Sequence, residues 1–98
     1  MRNFEVTVTY KSELIKLIET KNIYINQQKI MNIELDDSHC NSPEEFCDSI
    51  ITPKERANVV RINIRERYTD KGKPLNWISE NLGRIYLYNG IPLVLNKN

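Results

Sequence analysis

Apolar and polar residues alternate along several short stretches of the chain, a pattern typical of strands with one buried face. The alternation is clear over residues 4–10, FEVTVTY, and a second alternating stretch covers residues 59–68, VVRINIRERY. If that second stretch were a helix, Ile62 would point away from Val60 and Ile64. As a strand it places all three on one face and its arginines on the other, so we predict a strand.

Two hairpins are predicted from the remaining strand-like runs. RIYLY and IPLVL are separated by Asn89-Gly90, which supplies the positive φ angles of a two-residue type I′ turn. Because Pro92 cannot donate to a ladder, we place the last strand at an edge of the sheet. Earlier in the chain, residues 23–25 and 31–35 read as a hairpin around the four-residue loop NQQK.

Helical spacing and capping residues predict the other elements. Apolar residues recur at helical spacing over residues 14–18, with Ser12 as the N-cap and Asn22 as the stop. The segments SPEEF and TPKE each have a capping residue followed by proline, and LNWISENLG ends at Gly83. The predicted order is β-α-β-β-α-β-(α)-β-β. We therefore expect one α+β domain over residues 1–98, with five or six mostly antiparallel strands and two or three short helices on one face.

Composition sets limits on the class of protein. The 98 residues are 40% hydrophobic and 28% charged, as expected of a single globular domain. There is no apolar run long enough for a membrane span, and the start of the chain lacks the apolar block of a signal peptide. We therefore expect a cytoplasmic protein without membrane association, whose two cysteines are free thiols.

The segment DDSHCNSPEEFC contains the only histidine and both cysteines. A zinc site normally uses four ligands in CxxC-type pairs, and the spacing of His39, Cys40 and Cys47 does not match that pattern. A thiol enzyme needs a histidine in contact with the cysteine, whereas neighbours in sequence tend to point apart. We interpret the segment as a loop that leads into a helix, and expect neither a metal nor a cofactor.

Enzyme signatures are absent from the sequence. The glycine-rich phosphate loops, the G-x-S-x-G nucleophile motif and the H-E-x-x-H metal motif do not occur. A ribonuclease that works without histidine stays open as an alternative. Its candidate residues are Arg65, Glu66, Arg67 and Tyr68.

Charge is distributed unevenly although the net charge is only +1. Residues 31–53 carry six acids and no lysine or arginine, whereas residues 54–73 carry seven bases and three acids. On a strand, arginines two residues apart project from one face about 6.5–7 Å from each other. The predicted partner-binding residues are Arg61, Arg65, Arg67, Lys71 and Lys73.

These observations favour a small non-enzymatic binding or regulatory protein that docks on a host protein through a basic face. Asparagine, isoleucine and lysine, whose codons are A/T-rich, are abundant, which suggests a low-GC genome of bacterial, phage or plasmid origin. A compact stand-alone protein of this kind would suit a phage or mobile-element inhibitor or accessory factor. The alternative is a nucleic-acid-binding protein or the small ribonuclease. In that case bases would stack on Tyr68, Trp77, Tyr86 or Tyr88. A homodimer is also compatible with the pattern.

Overall fold

The computed structural model describes the backbone of residues 2–11, 13–18, 21–25, 27–67 and 75–96. The strands are β1 (Arg2–Tyr10), β2 (Glu13–Ile18), β3 (Lys21–Ile25), β4 (Gln28–Leu35), β5 (Val59–Arg67), β6 (Ile85–Tyr88) and β7 (Ile91–Asn96). The helices are α1 (Pro43–Ile50), α2 (Pro53–Arg56) and α3 (Asn76–Asn81), and a 3-10 turn covers Asp37–His39.

Five of the strands form one mixed sheet in the order β4-β1-β5-β7-β6. All neighbours in it are antiparallel except β5 and β7, which run parallel. The helices pack on one face of this sheet, so the predicted α+β class with a mostly antiparallel sheet is confirmed. We call the other face of the five-stranded sheet the open face.

The first half of the chain differs from the prediction in two places. Residues 13–18 form strand β2 rather than a helix, and β2 pairs with β3 from Glu13↔Ile25 to Ile18↔Lys21. Strand β4 pairs with β1 instead of β3, so the predicted hairpin is also wrong. The helix was predicted from spacing alone. β-Branched isoleucines favour strands, and partners close in sequence pair at little entropic cost. Ser12 lies outside the described residues.

The position of the last strand is a further correction. Strand β7 lies between β5 and β6, so it is not at an edge. Pro92 faces Leu87 of β6, next to the Tyr88↔Ile91 pair that closes the turn, and pairing with β5 begins only at Leu93. In that register Pro92 is not required to donate to either neighbour. The strand therefore accommodates proline without being an edge.

The predicted caps and turn are confirmed. The Ser42 hydroxyl accepts a hydrogen bond from the Glu45 amide, and Thr52 forms a reciprocal capping box with Glu55. Asn89 and Gly90 have φ angles of 48° and 79°, as the type I′ turn requires. These local interactions fix where α1, α2 and the last hairpin begin.

The core lies between the sheet and the helices. Phe4, Ile62 and Leu93 of three adjacent strands are fully buried there, together with Phe46 and Cys47 of α1. The Phe4 and Phe46 rings meet edge to face at 4.7 Å between centroids, and Trp77 of α3 packs on Phe46 at 5.7 Å. This cluster holds α1 and α3 on one side of the sheet.

Candidate binding surface

Strand β5 places three of the predicted arginines on the open face. Ile62 and Ile64 are buried toward the helices, so the residues that alternate with them project the other way. We call Arg61, Arg65 and Arg67 the arginine row, and all three are exposed. Val60 does not share the buried face, because a register shift opposite Thr9 and Tyr10 leaves it without a partner in β1.

The arginine row has few acidic partners. Arg65 and Arg67 both contact Glu5 of β1, at 3.9 and 3.3 Å, and Arg67 also donates to the Asn32 side chain at 3.0 Å. Arg61 donates through Nε to the amide oxygen of Asn63 at 3.1 Å. Within the described residues, Glu5 is therefore the one carboxylate in ion-pair contact with the arginine row, and Arg61 contacts none. The side chains of Arg65 and Arg67 stay 45% and 54% exposed, so water screens these pairs and leaves them weak.

Most of the acidic segment lies on the helix side of the sheet, whereas its Glu34 is on the open face at the β4 edge. Asp37 contacts Arg2 at 3.0 Å, and Asp48 contacts Arg56 at 3.7 Å. Glu44 of α1 accepts a hydrogen bond from the Tyr86 hydroxyl on the helix side of the sheet. Among the described residues, these acids make no ion pair with the arginine row. The sheet thus separates a basic face from an acidic one.

The structure does not describe two of the predicted partner-binding residues. Lys71 and Lys73 lie outside the described residues, and so does Tyr68. The candidate surface therefore consists of the arginine row and its neighbours on the open face.

The aromatic residues predicted for base stacking do not join the arginine row. Trp77 donates its indole N–H to the Cys40 carbonyl at 2.7 Å, and the Tyr88 hydroxyl donates to Asp48. Together with Tyr86 they lie on the helix side of the sheet, where they stabilise the helix layer. Within the described residues, the strands present no aromatic side chain on the open face.

The His39–Cys47 segment has the geometry of a loop and a helix face. His39 is exposed at the end of the 3-10 turn, whereas both cysteines are buried free thiols. The Cys40 thiol donates to the Asp36 carbonyl at 3.2 Å. Burial raises the pKa of Cys40 to about 11 and that of Cys47 to about 12, so both stay protonated at neutral pH. No described group of three or more histidine, cysteine, aspartate or glutamate side chains is placed to hold a metal ion.

We expect neither native thiol to react readily with iodoacetamide in the folded protein at pH 8, because the thiolate is the nucleophile. Mass spectrometry should show labelling of both cysteines only after denaturation in urea. A Ser49→Cys variant provides the control, since position 49 is exposed on the same helix. If Cys40 or Cys47 were labelled as fast as that added thiol, the buried assignment would be wrong.

The ribonuclease candidates are divided between the two faces. Glu66 is buried, accepts a hydrogen bond from Arg2 at 2.6 Å and accepts another from the Leu75 amide at 2.8 Å. It points toward the helices, away from Arg65 and Arg67. The strand geometry therefore does not bring these three side chains together around one reacting group.

Sequence reasoning missed Arg84. A cavity of about 510 Å³ opens beside the end of β7, and its charged lining residues are Arg61 and Arg84. The walls are completed by Leu82, Gly83, Ile85, Val94, Leu95 and Asn96. Neither arginine forms an ion pair with a described carboxylate, although Arg61 is held by Asn63. The stretch RIYLY begins with Arg84. Nothing in the sequence indicates that the start of β6 lies close to Arg61 of β5.

Comparisons with known proteins identify no relative of this chain. No family model matches it, and neither the curated proteins nor the solved structures contain a match. In the described part of the chain, no helix has the length and apolar character needed to cross a membrane.

Proposed function

We propose that this protein is a non-enzymatic binding protein that docks on an acidic surface of a protein partner through its open face. The observation that carries the proposal is the arginine row, which projects from a central strand and has one described carboxylate, Glu5, among its contacts. Arginine is enriched at protein interfaces because its planar group binds carboxylates through two hydrogen bonds at once. A regulator or inhibitor of the partner is the role that fits such a surface.

A protein partner is favoured over a nucleic acid by what surrounds the arginines. Single-stranded nucleic acids are bound by basic grooves combined with aromatic rings on which bases stack. The described open face instead combines arginines with exposed Ile30, Ile85 and Leu87, whose side chains are 63–69% exposed. Such a mixture of apolar and basic groups is typical of protein interfaces, and the net charge of +1 is low for a phosphate binder.

Reversing two arginines, with Arg61→Glu and Arg65→Glu, is expected to abolish partner capture while the protein stays folded. Both side chains are exposed, so the substitution should change the free energy of unfolding by less than about 1 kcal/mol, mainly through repulsion between Glu5 and the new carboxylate opposite it. The measurement is affinity capture of a specific protein from host lysate, with and without nuclease treatment. Circular dichroism checks the fold.

The matched control is a variant with Lys29→Glu and Lys54→Glu, which changes the net charge by the same amount. Both lysines are exposed and lie away from the open face, since Lys29 pairs with Val8, whose side chain is buried on the helix side, and Lys54 is in α2. Capture by this variant should match the wild type. Capture that disappears after nuclease treatment would favour nucleic acid, and equal capture by all variants would contradict the proposal.

A further inference from the structure

Strand β6 is an edge strand whose outer side is unpaired in the described part of the chain. In a hairpin with a two-residue turn, the pair next to the turn, here Tyr88↔Ile91, exchanges both backbone hydrogen bonds. The alternate residues, Ile85 and Leu87, therefore direct their N–H and C=O groups outward. Their side chains are also 69% and 63% exposed, on the open face.

Within the described residues, this edge strand is short, at four residues, but has none of the other features that protect an exposed strand. Natural proteins block sheet edges with lysine, proline, bulges or a covering loop. The sequence of β6 is IYLY, with neither charge nor proline, and its pairing with β7 is regular. The opposite edge, β4, carries Lys29 and Glu34. The β6 edge is therefore better suited to pairing with another extended chain.

The cavity beside β6 indicates what chemistry that chain carries. Arg61 and Arg84 both line it, and none of its described lining residues is acidic. The apolar walls are provided by side chains such as Ile85 and Val94, which face each other across β6 and β7. A carboxylate would find two guanidinium groups there, and an apolar residue nearby would cover Ile85 and Leu87. Because successive side chains of a strand face opposite sides of the sheet, a strand presents both groups to the open face at positions two residues apart.

We propose that an extended acidic segment of the partner adds to the sheet as a sixth strand along β6, with one carboxylate between Arg61 and Arg84. This inference rests on the proposed docking function and specifies the partner's chemistry. Backbone hydrogen bonds to Ile85 and Leu87 provide the pairing. The two arginines select acidic over basic segments, and the exposed apolar side chains are covered.

The test uses a capped octapeptide with threonine at every second position and glutamate and valine in turn at the positions between, so that both project from one face, titrated into the isotope-labelled full chain and followed by NMR. Saturable shifts are expected at the amides of Ile85 and Leu87, with slower hydrogen exchange at both. A lysine–valine peptide should not bind. The glutamate–valine peptide with N-methyl groups on every second residue should bind at least tenfold more weakly, because it cannot complete the ladder.

Variants of the chain locate the carboxylate. Arg61→Gln with Arg84→Gln should weaken binding of the octapeptide at least tenfold, whereas Lys29→Gln with Lys54→Gln, away from the open face and outside the cavity, should change it less than threefold. Circular dichroism confirms that each variant is folded. No saturable binding at millimolar peptide, shifts confined to β4, or equal binding by the N-methylated peptide would overturn the inference.

The two proposals fail separately. If partner capture depends on Arg61 and Arg65 but the octapeptide does not bind, the basic face docks its partner without strand addition. If the octapeptide binds at β6 but partner capture is unchanged by Arg61→Glu with Arg65→Glu, the edge is a peptide site and the docking proposal is wrong.

Discussion

Replacing Phe46 by alanine is expected to lower the free energy of unfolding by about 3–5 kcal/mol. The Phe46 side chain is fully buried and contacts Phe4 and Trp77 edge to face, so its removal leaves a cavity between the sheet and the helices. A domain of this size is stabilised by only about 5–15 kcal/mol in total. Urea unfolding followed by circular dichroism should therefore show a large shift of the midpoint.

Two variants calibrate that result. Phe46→Leu keeps an apolar side chain but loses both ring contacts, and it should fall between alanine and wild type. Ser49→Ala, on the exposed side of the same helix, should stay within about 0.5 kcal/mol of the wild type. A loss below about 1 kcal/mol for Phe46→Ala would mean that α1 does not pack on the sheet through this ring.

Replacing Glu66 by alanine is expected to lower the free energy of unfolding by about 2–3 kcal/mol. Glu66 is only 6% exposed and bonds both Arg2 and the Leu75 amide. Its removal leaves the Leu75 N–H without its acceptor, although Arg2 keeps its contact with Asp37. Glu66 connects the end of β5 to the start of α3, so protection from hydrogen exchange should fall first in α3.

Three comparisons separate the contact from a general effect of mutation. Glu66→Gln retains an acceptor for the Leu75 amide and should lose about half as much stability. Glu34→Ala removes an exposed carboxylate of β4 and should have almost no effect. A double variant, Arg2→Met with Glu66→Met, should be less damaging than Glu66→Ala, because it leaves no buried charge unpaired and Asp37, which loses Arg2, is exposed. Equal stability of Glu66→Ala and wild type would contradict this account.

The sequence predicted those features that depend on local interactions. Ser42 and Thr52 begin helices because each offers an oxygen to an amide three residues later. Asn89-Gly90 defines a turn because few other residues accept positive φ angles. The arginine row followed from the two-residue period of β5, since Ile62 and Ile64 had to face the core.

Features that depend on the choice of partner strand were not predictable in the same way. Alternation shows which residues share a face but not which strand lies beside it. For this reason Pro92 predicts an edge strand. The helix over residues 14–18 is predicted from the spacing of apolar residues alone. The same limit hid Arg84, which reaches the cavity beside Arg61 only because β7 and β6 follow β5 in the sheet. Tyr86 and Tyr88 are predicted for stacking because the sequence does not show which face of the sheet α1 covers. The position of α1 determines whether their side chains face the helices or the solvent.

The separation of charge by the sheet is the basis of the functional proposal. The acids on the helix side make their described ion pairs with Arg2 and Arg56 rather than with the arginine row, and the proposal assigns that row to an external partner. The screened ion pairs that Glu5 makes with Arg65 and Arg67 favour, without fixing, one arrangement of the guanidinium groups on the open face before binding. Such preorganisation reduces the entropy lost when an interface forms.

The most direct test is the affinity for the captured partner as a function of salt, measured for the wild type and for the two charge-matched variants. The account predicts that Arg61→Glu with Arg65→Glu weakens binding at least a hundredfold, about 2.7 kcal/mol. Binding of Lys29→Glu with Lys54→Glu should stay within threefold of the wild type. Equal weakening by both variants would mean that only net charge matters, and it would contradict a docking site on the open face.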